Sequence, residues 1–87
     1  MDLKREAEKE AERVKKVMEK LEIVSPKESE SLVKVMKSYY EDCLSFYKKR
    51  QYLQALETSF IVWAYVDAGL HLKIFKVPDN MKKMFTI

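Results

Sequence analysis

The sequence predicts an all-α protein: an up-down-up three-helix bundle in a single domain, residues 1–87, with a C-terminal apolar tail packed on the third helix. Three observations predict it. The 87 residues include one glycine and two prolines, fewer turn formers than a sandwich or barrel needs. Hydrophobic residues make up 47% and charged residues 36%, which excludes a disordered chain. Apolar positions recur every three or four residues over three long segments, as in helices with one buried face.

The first predicted helix covers residues 2–22. Its apolar positions step by 4, 3, 4 and 3, which is a heptad spacing: Ala7, Ala11, Val14, Met18 and Leu21. Two of these five residues are alanines, so the helix should bury little apolar surface per turn. We therefore expect it to be the weakest of the three helices and the first to fray.

The second predicted helix covers residues 26–49. Ser25 can cap it, Pro26 suits the first helical position, and Glu28 stands where a capping box has its acid. Its main apolar stripe again has heptad spacing: Leu32, Met36, Tyr39, Cys43 and Phe46. Because only Arg50 and Gln51 separate it from the next apolar pattern, the second and third helices are expected to form an antiparallel hairpin.

The third predicted helix covers residues 52–75 and is the most apolar. One stripe should face the core: Tyr52, Leu56, Ser59, Trp63, Val66 and Leu70. At 100° per residue a second apolar group lies almost opposite: Ile61, Tyr65, Ala68 and Leu72. A bundle of this size should not leave such a stripe in water. We expect either the tail, residues 76–87, or a second copy of the protein to cover it.

Composition also excludes several classes of function. The longest uninterrupted apolar run, residues 60–66, is far shorter than the ~20 residues of a membrane span, so no membrane association is expected. The single cysteine, Cys43, cannot form an internal disulfide, which favours a cytoplasmic location. A net charge of +3 without a basic stripe argues against a nucleic-acid partner. The alternative of weak RNA binding would use Lys48, Lys49, Arg50, Lys82 and Lys83.

Four segments carry a likeness to a known family: Tyr39-Tyr40-Glu41-Asp42, Tyr52-Leu53-Gln54-Ala55, Trp63-Ala64-Tyr65-Val66-Asp67-Ala68-Gly69-Leu70 and the closing Phe85-Thr86-Ile87. Over residues 30–87 the chain resembles an archaeal family called domain of unknown function 357. Its members look like short up-and-down three-helix bundles, so the resemblance implies that fold. The family has no assigned activity, and the resemblance implies no mechanism. The chain differs at the turn, where Arg50-Gln51 replaces a common Gly-Asp pair.

The candidate for ligand chemistry is a group on the third helix. Asp67 and His71 are four residues apart and share a helical face, a spacing that can present two metal ligands. A catalytic metal needs a third protein ligand, and none is expected nearby, so we expect no metal site and no cofactor. Asp67 lies beside Trp63 near the core, where a carboxylate must be hydrogen-bonded or paired. A role in fixing helix register is the preferred interpretation, and a small-ligand or metal site at Asp67, His71 and Trp63 is the alternative.

The sequence gives no pattern typical of an enzyme, so no catalytic residue is assigned. Cys43 lies on an apolar stripe, where burial should keep it inert, and one glycine cannot build a phosphate loop. Gly69 in mid-helix costs ~1 kcal/mol against alanine, and the close approach of another helix or of the tail would explain it. The leading hypothesis is a non-enzymatic protein-interaction module whose partner, another protein or a second copy, contacts Ile61, Tyr65, Leu72 and Phe85.

Overall fold

The computed structural model describes residues 2–86, and most of them lie in three helices packed against one another. The helices are α1 (Leu3–Lys20), α2 (Pro26–Lys48) and α3 (Tyr52–His71). Two short strands, β1 (Glu22–Ile23) and β2 (Phe75–Lys76), form a small antiparallel sheet, and a 3₁₀ helix covers Asp79–Met84. Ile87, which the sequence assigns to the tail, lies outside the described residues, as does Met1. No helix within residues 2–86 is long and apolar enough to span a membrane.

Helix α3 contributes to both parts of the core. The larger part combines buried side chains from all three helices and from the segment after α3: Val14, Val17, Met36, Val62, Val66, Leu70, Phe75 and Val77. The smaller part lies around Ala7, Ala55 and Leu56. Ala7 is almost completely buried, so the small side chain that the sequence marked as a weakness lets α1 approach α3 closely.

The starts of the first two helices follow the sequence signals only in part. The Asp2 carboxylate accepts a hydrogen bond from the Arg5 amide at 3.2 Å and so caps α1. Helix α2 begins at Pro26 as predicted, but the Ser25 side chain makes no capping hydrogen bond. Instead, the Ser25 carbonyl accepts hydrogen bonds from the amide and the hydroxyl of Ser29. The predicted side-chain cap is therefore wrong, although the helix boundary is right.

Helix α3 ends at His71, four residues before the predicted end at residue 75. The chain reverses at Lys73, whose φ of 61° is in the left-handed region. The Lys73 amide donates to the Leu70 carbonyl and the Ile74 amide to the Gly69 carbonyl, which together form a Schellman motif. Helix α1 likewise ends two residues early, because Leu21 is extended and leads into β1. Hydrophobic periodicity does not indicate these reversals, because apolar residues continue beyond the helix ends.

Helix α2 ends in the same way, with Arg50 at a φ of 62°. The Arg50 amide donates to the Tyr47 carbonyl and the Gln51 amide to the Phe46 carbonyl. Glycine normally takes this position, because a Cβ in the left-handed region costs roughly 1–2 kcal/mol. The one glycine of the chain lies elsewhere, so neither helix end carries the usual glycine signal, and the end of α2 was predicted from the break in the apolar pattern at Arg50 and Gln51.

We expect Arg50→Gly to raise the free energy of unfolding by about 0.5–1 kcal/mol. Removing the left-handed strain gains ~1–2 kcal/mol, and the greater freedom of glycine in the unfolded chain offsets ~0.4–1 kcal/mol of that gain. Urea unfolding followed by circular dichroism measures the change. Arg50→Ala keeps the Cβ and is the control, with a free energy of unfolding close to that of the wild type. Equal stabilisation by both variants would mean that removal of the Arg50 charge, rather than relief of strain, is responsible.

The small sheet returns the chain to the core after α3. Glu22 pairs with Lys76 and Ile23 with Phe75, and the Val24 amide donates to the Ile74 carbonyl at 2.8 Å. This pairing places the Phe75 ring against Gly69, where a Cβ on residue 69 would overlap the ring. The predicted close approach to Gly69 is thus made by Phe75, a residue that the sequence had assigned to the helix itself.

Candidate functional site

The predicted binding stripe on α3 is not an open surface. The Tyr65 ring stacks on Tyr39 of α2, with centroids 6.0 Å apart and an interplanar angle of 23°. Ile61 is half-buried, whereas Ala68 and Leu72 are exposed, Leu72 at 68%. Tyr65, expected to contact a partner, instead contacts Tyr39 of α2.

The buried side of α3 includes two hydroxyl residues, Thr58 and Ser59. Each hydroxyl donates to a backbone carbonyl of its own helix, as in the 2.7 Å bond from Ser59 to Leu56. These bonds satisfy the hydroxyls locally, so polar side chains fit inside the core. Ser59 is expected on the core-facing stripe and is found there, whereas the sequence places Thr58 on the polar part of the opposite face, so the burial of Thr58 is a correction.

The exposed side of α3, called the outer face below, consists of Leu53, Glu57, Phe60 and Ala64. Leu53 is 55% and Phe60 58% exposed, although both are large apolar side chains. They are seven residues apart and so lie on one side of the helix. The sequence contains this spacing, but Leu53 and Phe60 belong to neither of the two predicted apolar stripes.

The C-terminal segment contacts α3 through its aromatic and hydroxyl side chains. The Phe85 ring lies against Trp63, with centroids 5.4 Å apart. The amide and the hydroxyl of Thr86 both donate to the Asp67 carboxylate, at 3.1 and 2.8 Å. Met81 and Met84 are partly buried against the larger part of the core. Phe85 is therefore a packing residue of the folded chain rather than an exposed anchor.

His71 joins this network through the same threonine. Its Nε2 lies 2.6 Å from the Thr86 hydroxyl oxygen and 3.9 Å from Asp67 Oδ1. The Thr86 hydroxyl is therefore within hydrogen-bond distance of both the Asp67 carboxylate and the His71 ring. Asp67 and His71 are thus brought together as predicted, and Thr86 supplies the hydrogen bond that a carboxylate near the core needs. Their arrangement links the tail to the helix.

A second polar group connects α1 with α3, and the sequence analysis missed it. Glu10 is 8% exposed, and its carboxylate accepts from Trp63 Nε1 at 3.0 Å and from Arg13 at 2.8 Å. The Arg13 guanidinium also lies over the Trp63 ring, 5.3 Å from the centroid. Two signals were present: Glu10 is three residues after Ala7 on the buried side of α1, and a tryptophan near a core needs an acceptor for its N–H.

These groups line an open groove of about 390 Å³ between α1, α3 and the tail. Trp63 and Asp67 stand in its wall beside Glu10 and Arg13, whereas His71 does not line it. The polar groups of the groove are already hydrogen-bonded to one another or to Thr86. Across residues 2–86, no three side chains of the histidine, cysteine or acidic types are grouped closely enough to hold a metal ion.

Cys43 is completely buried on α2, and its thiol donates to the Ala55 carbonyl with a sulfur–oxygen distance of 3.4 Å. Burial raises the pKa of the Cys43 thiol, so it is protonated at neutral pH. Its position on α2 also separates it from the imidazole at the end of α3. The arrangement provides no thiolate for nucleophilic chemistry.

We expect the Cys43 thiol to react with a disulfide reagent at least about 100-fold more slowly in the native protein than in urea. Reaction requires opening of the α2–α3 contact, and an opening free energy of about 3 kcal/mol exposes under ~1% of the molecules. Stopped-flow absorbance at pH 8 measures both rates. A native rate equal to the unfolded rate would contradict the burial of this thiol.

Comparison with known proteins adds no assignment: the chain matches no protein-family model, no curated protein and no solved structure. The function must be argued from the surface and the grooves themselves.

Proposed function

We propose that the chain is a non-enzymatic protein-interaction module that binds through the outer face of α3, and that its partner is a second copy of the same chain. The observation that carries this proposal is the exposure of Leu53 and Phe60, 55% and 58%, on one side of the same helix. Burying a Leu or Phe side chain fully contributes ~1.5–3 kcal/mol, so two anchors provide a substantial driving force for association.

The composition of α3 supports a helical partner. Glu57 and Asp67 are its only charged side chains over Tyr52–His71, apart from the titratable His71. A surface with so few charges loses little hydration when another apolar helix covers it. Ala64, exposed on the same face, is small enough to admit the backbone of that helix closely. Leu72 lies beyond this face and is exposed, so it belongs to the periphery of the surface.

The outer face is also complementary to itself. In an antiparallel two-fold pair centred between the two anchors, Leu53 of one copy lies opposite Phe60 of the other, and a single contact covers both. Two-fold dimers are the commonest soluble assemblies, because the same patch is used twice.

Light scattering over a concentration series tests this proposal. The wild-type mass should rise from that of the 10.4 kDa chain towards twice that value. Phe60→Glu should remain monomeric, because a carboxylate would be buried without a partner. Val35→Glu is the matched control: Val35 is 40% exposed on α2, and the variant should associate like the wild type. A wild type that stays monomeric up to millimolar concentration, or a Phe60→Glu variant that still associates, would overturn the proposal.

We also infer an up-down-up order of the helices, membership of the domain of unknown function 357 family and a location in the archaeal cytoplasm. The contacts Tyr47–Tyr52, Cys43–Ala55 and Tyr39–Tyr65 support the order, because later residues of α3 meet earlier residues of α2.

The left-handed φ of Arg50 supports the family, because the glycine that is common in the family at this position would adopt that φ without strain. The unpaired thiol supports a reducing compartment.

A second candidate is small-ligand binding in the groove beside Trp63 and Asp67. Its support is the co-location of an aromatic wall, a carboxylate and the Arg13 guanidinium around one space of about 390 Å³. Calorimetric titration with divalent metals and common nucleotides tests it. Saturable heat that disappears in Trp63→Leu would favour this candidate, and no heat in the wild type would eliminate it for these ligands.

A further inference from the structure

A second groove, lined by residues from the end of α3 onwards, shares no lining residue with the Trp63 groove and has a different chemistry. It has a volume of about 390 Å³, and its apolar wall is formed by Leu70, Phe75 and Val77. Around this wall stand three lysines and one acid: Lys73, Lys76, Lys82 and Asp79. We refer to it as the lysine pocket. Its volume falls within the ~300–1,000 Å³ of typical small-molecule sites.

The residues lining the lysine pocket carry more positive than negative charge, although Glu22 stands opposite Lys76 in the small sheet. Lys82 pairs with Asp79 at 2.9 Å, which leaves the ammonium groups of Lys73 and Lys76. Within residues 2–86 neither of these two forms a salt bridge. Three ammonium groups against one carboxylate give the pocket a net charge of +2. By contrast, the polar groups in the Trp63 groove are already bonded to one another.

Lys73 occupies the left-handed position of the turn that ends α3, with a φ of 61°, and it lines the pocket at this turn. The wall beside it is rigid, because Phe75 is 2% and Leu70 7% exposed, and Phe75 is fixed by β2. A preformed apolar wall next to two available cations suits a ligand that has an apolar part and an anionic end.

We propose that the lysine pocket binds a small amphiphilic anion: a short acyl or aromatic group that ends in a carboxylate or a phosphate. The apolar part lies against Leu70, Phe75 and Val77, and the anionic end is paired by Lys73 and Lys76. This site is separate from the outer face of α3, so it stands or falls independently of the interaction proposed there.

The test uses four probes on the full-length protein: octanoate, octyl phosphate, neutral octanamide and inorganic phosphate. Titration calorimetry gives the affinities, and amide shifts in nitrogen-15 spectra locate binding at residues 70–77. We expect at least one of the two octyl anions to bind with shifts there, and the stronger of the two identifies the anionic group. Octanamide and inorganic phosphate should bind at least about tenfold more weakly, because octanamide lacks the anionic group and inorganic phosphate lacks the apolar part.

Matched variants assign the contacts. Lys73→Gly combined with Lys76→Gln should weaken binding of the preferred anion about tenfold or more, while Arg50→Gly combined with Lys48→Gln should leave it unchanged. Both pairs remove two cations and relieve one left-handed residue, but only the first pair lines the pocket. Asp79→Asn should strengthen binding about two- to threefold, because Lys82 loses its internal partner. Absence of saturable binding by both octyl anions, equal binding of octanamide, or equal losses in the two double variants would overturn the proposal.

Discussion

Replacing Gly69 by alanine is expected to lower the free energy of unfolding by about 2 kcal/mol or more. The new Cβ would overlap the Phe75 ring, which cannot retreat because it is 2% exposed and held in β2. Overpacking of this kind costs ~1–3 kcal/mol and occasionally more, and the helix propensity of alanine returns up to ~1 kcal/mol. The steric cost of the new Cβ exceeds the gain in helix propensity because the whole Phe75 ring must move. Urea unfolding measures the difference.

A double variant tells whether Phe75 is the cause. Gly69→Ala combined with Phe75→Leu should be less destabilised than the sum of the two single variants, because the smaller side chain leaves room for the new methyl group. An additive result would mean that residue 69 does not meet Phe75. A stabilised Gly69→Ala variant would show that propensity alone governs the position, contrary to the packing described above.

The second large effect is expected for Phe75→Ala, which should lower the free energy of unfolding by ~3–5 kcal/mol. Phe75 is among the largest fully buried side chains and joins β2 to α3. The loss combines the transfer of the ring from the core with the cavity that remains. Such a loss is a large part of the 5–15 kcal/mol typical of a whole domain.

Phe60→Ala is the matched control for this variant, since it removes the same ring from a side chain that is 58% exposed. It should change the stability of the monomer by less than about 0.5 kcal/mol. Thermal unfolding at low protein concentration gives both values. Similar losses at the two positions would contradict the division between the core and the outer face.

Much of the fold could be predicted because heptad spacing is a direct consequence of burying one helix face. The burial of Val14, Met36 and Cys43 follows from it, whereas the start of α2 follows from Pro26. What could not be predicted depends on contacts distant in sequence. Lys73 reverses the chain without the glycine that would have signalled the reversal, and the strand that follows carries Phe75 back to the core.

The candidate sites show the same difference between features that local spacing predicts and features that depend on contacts distant in sequence. The proximity of Asp67 and His71 follows from their spacing, but their shared partner Thr86 lies fifteen residues or more further along the chain. Likewise, local patterns mark Glu10 and Trp63 separately, but the bond that joins them spans 53 residues and no local pattern pairs them. The burial of Thr58 was not expected, because its hydroxyl donates to carbonyls of its own helix and so can enter the core.

The measurement that tests the central claim most directly is a dilution series of nitrogen-15 spectra of the wild-type protein. If the outer face of α3 is the contact between copies, amide signals of Leu53, Glu57, Phe60 and Ala64 should shift together with concentration, and those around Val35 on α2 should not. The same signals should be independent of concentration in Phe60→Glu. Spectra that do not change over the series, or shifts confined to surfaces away from these residues, would contradict the claim.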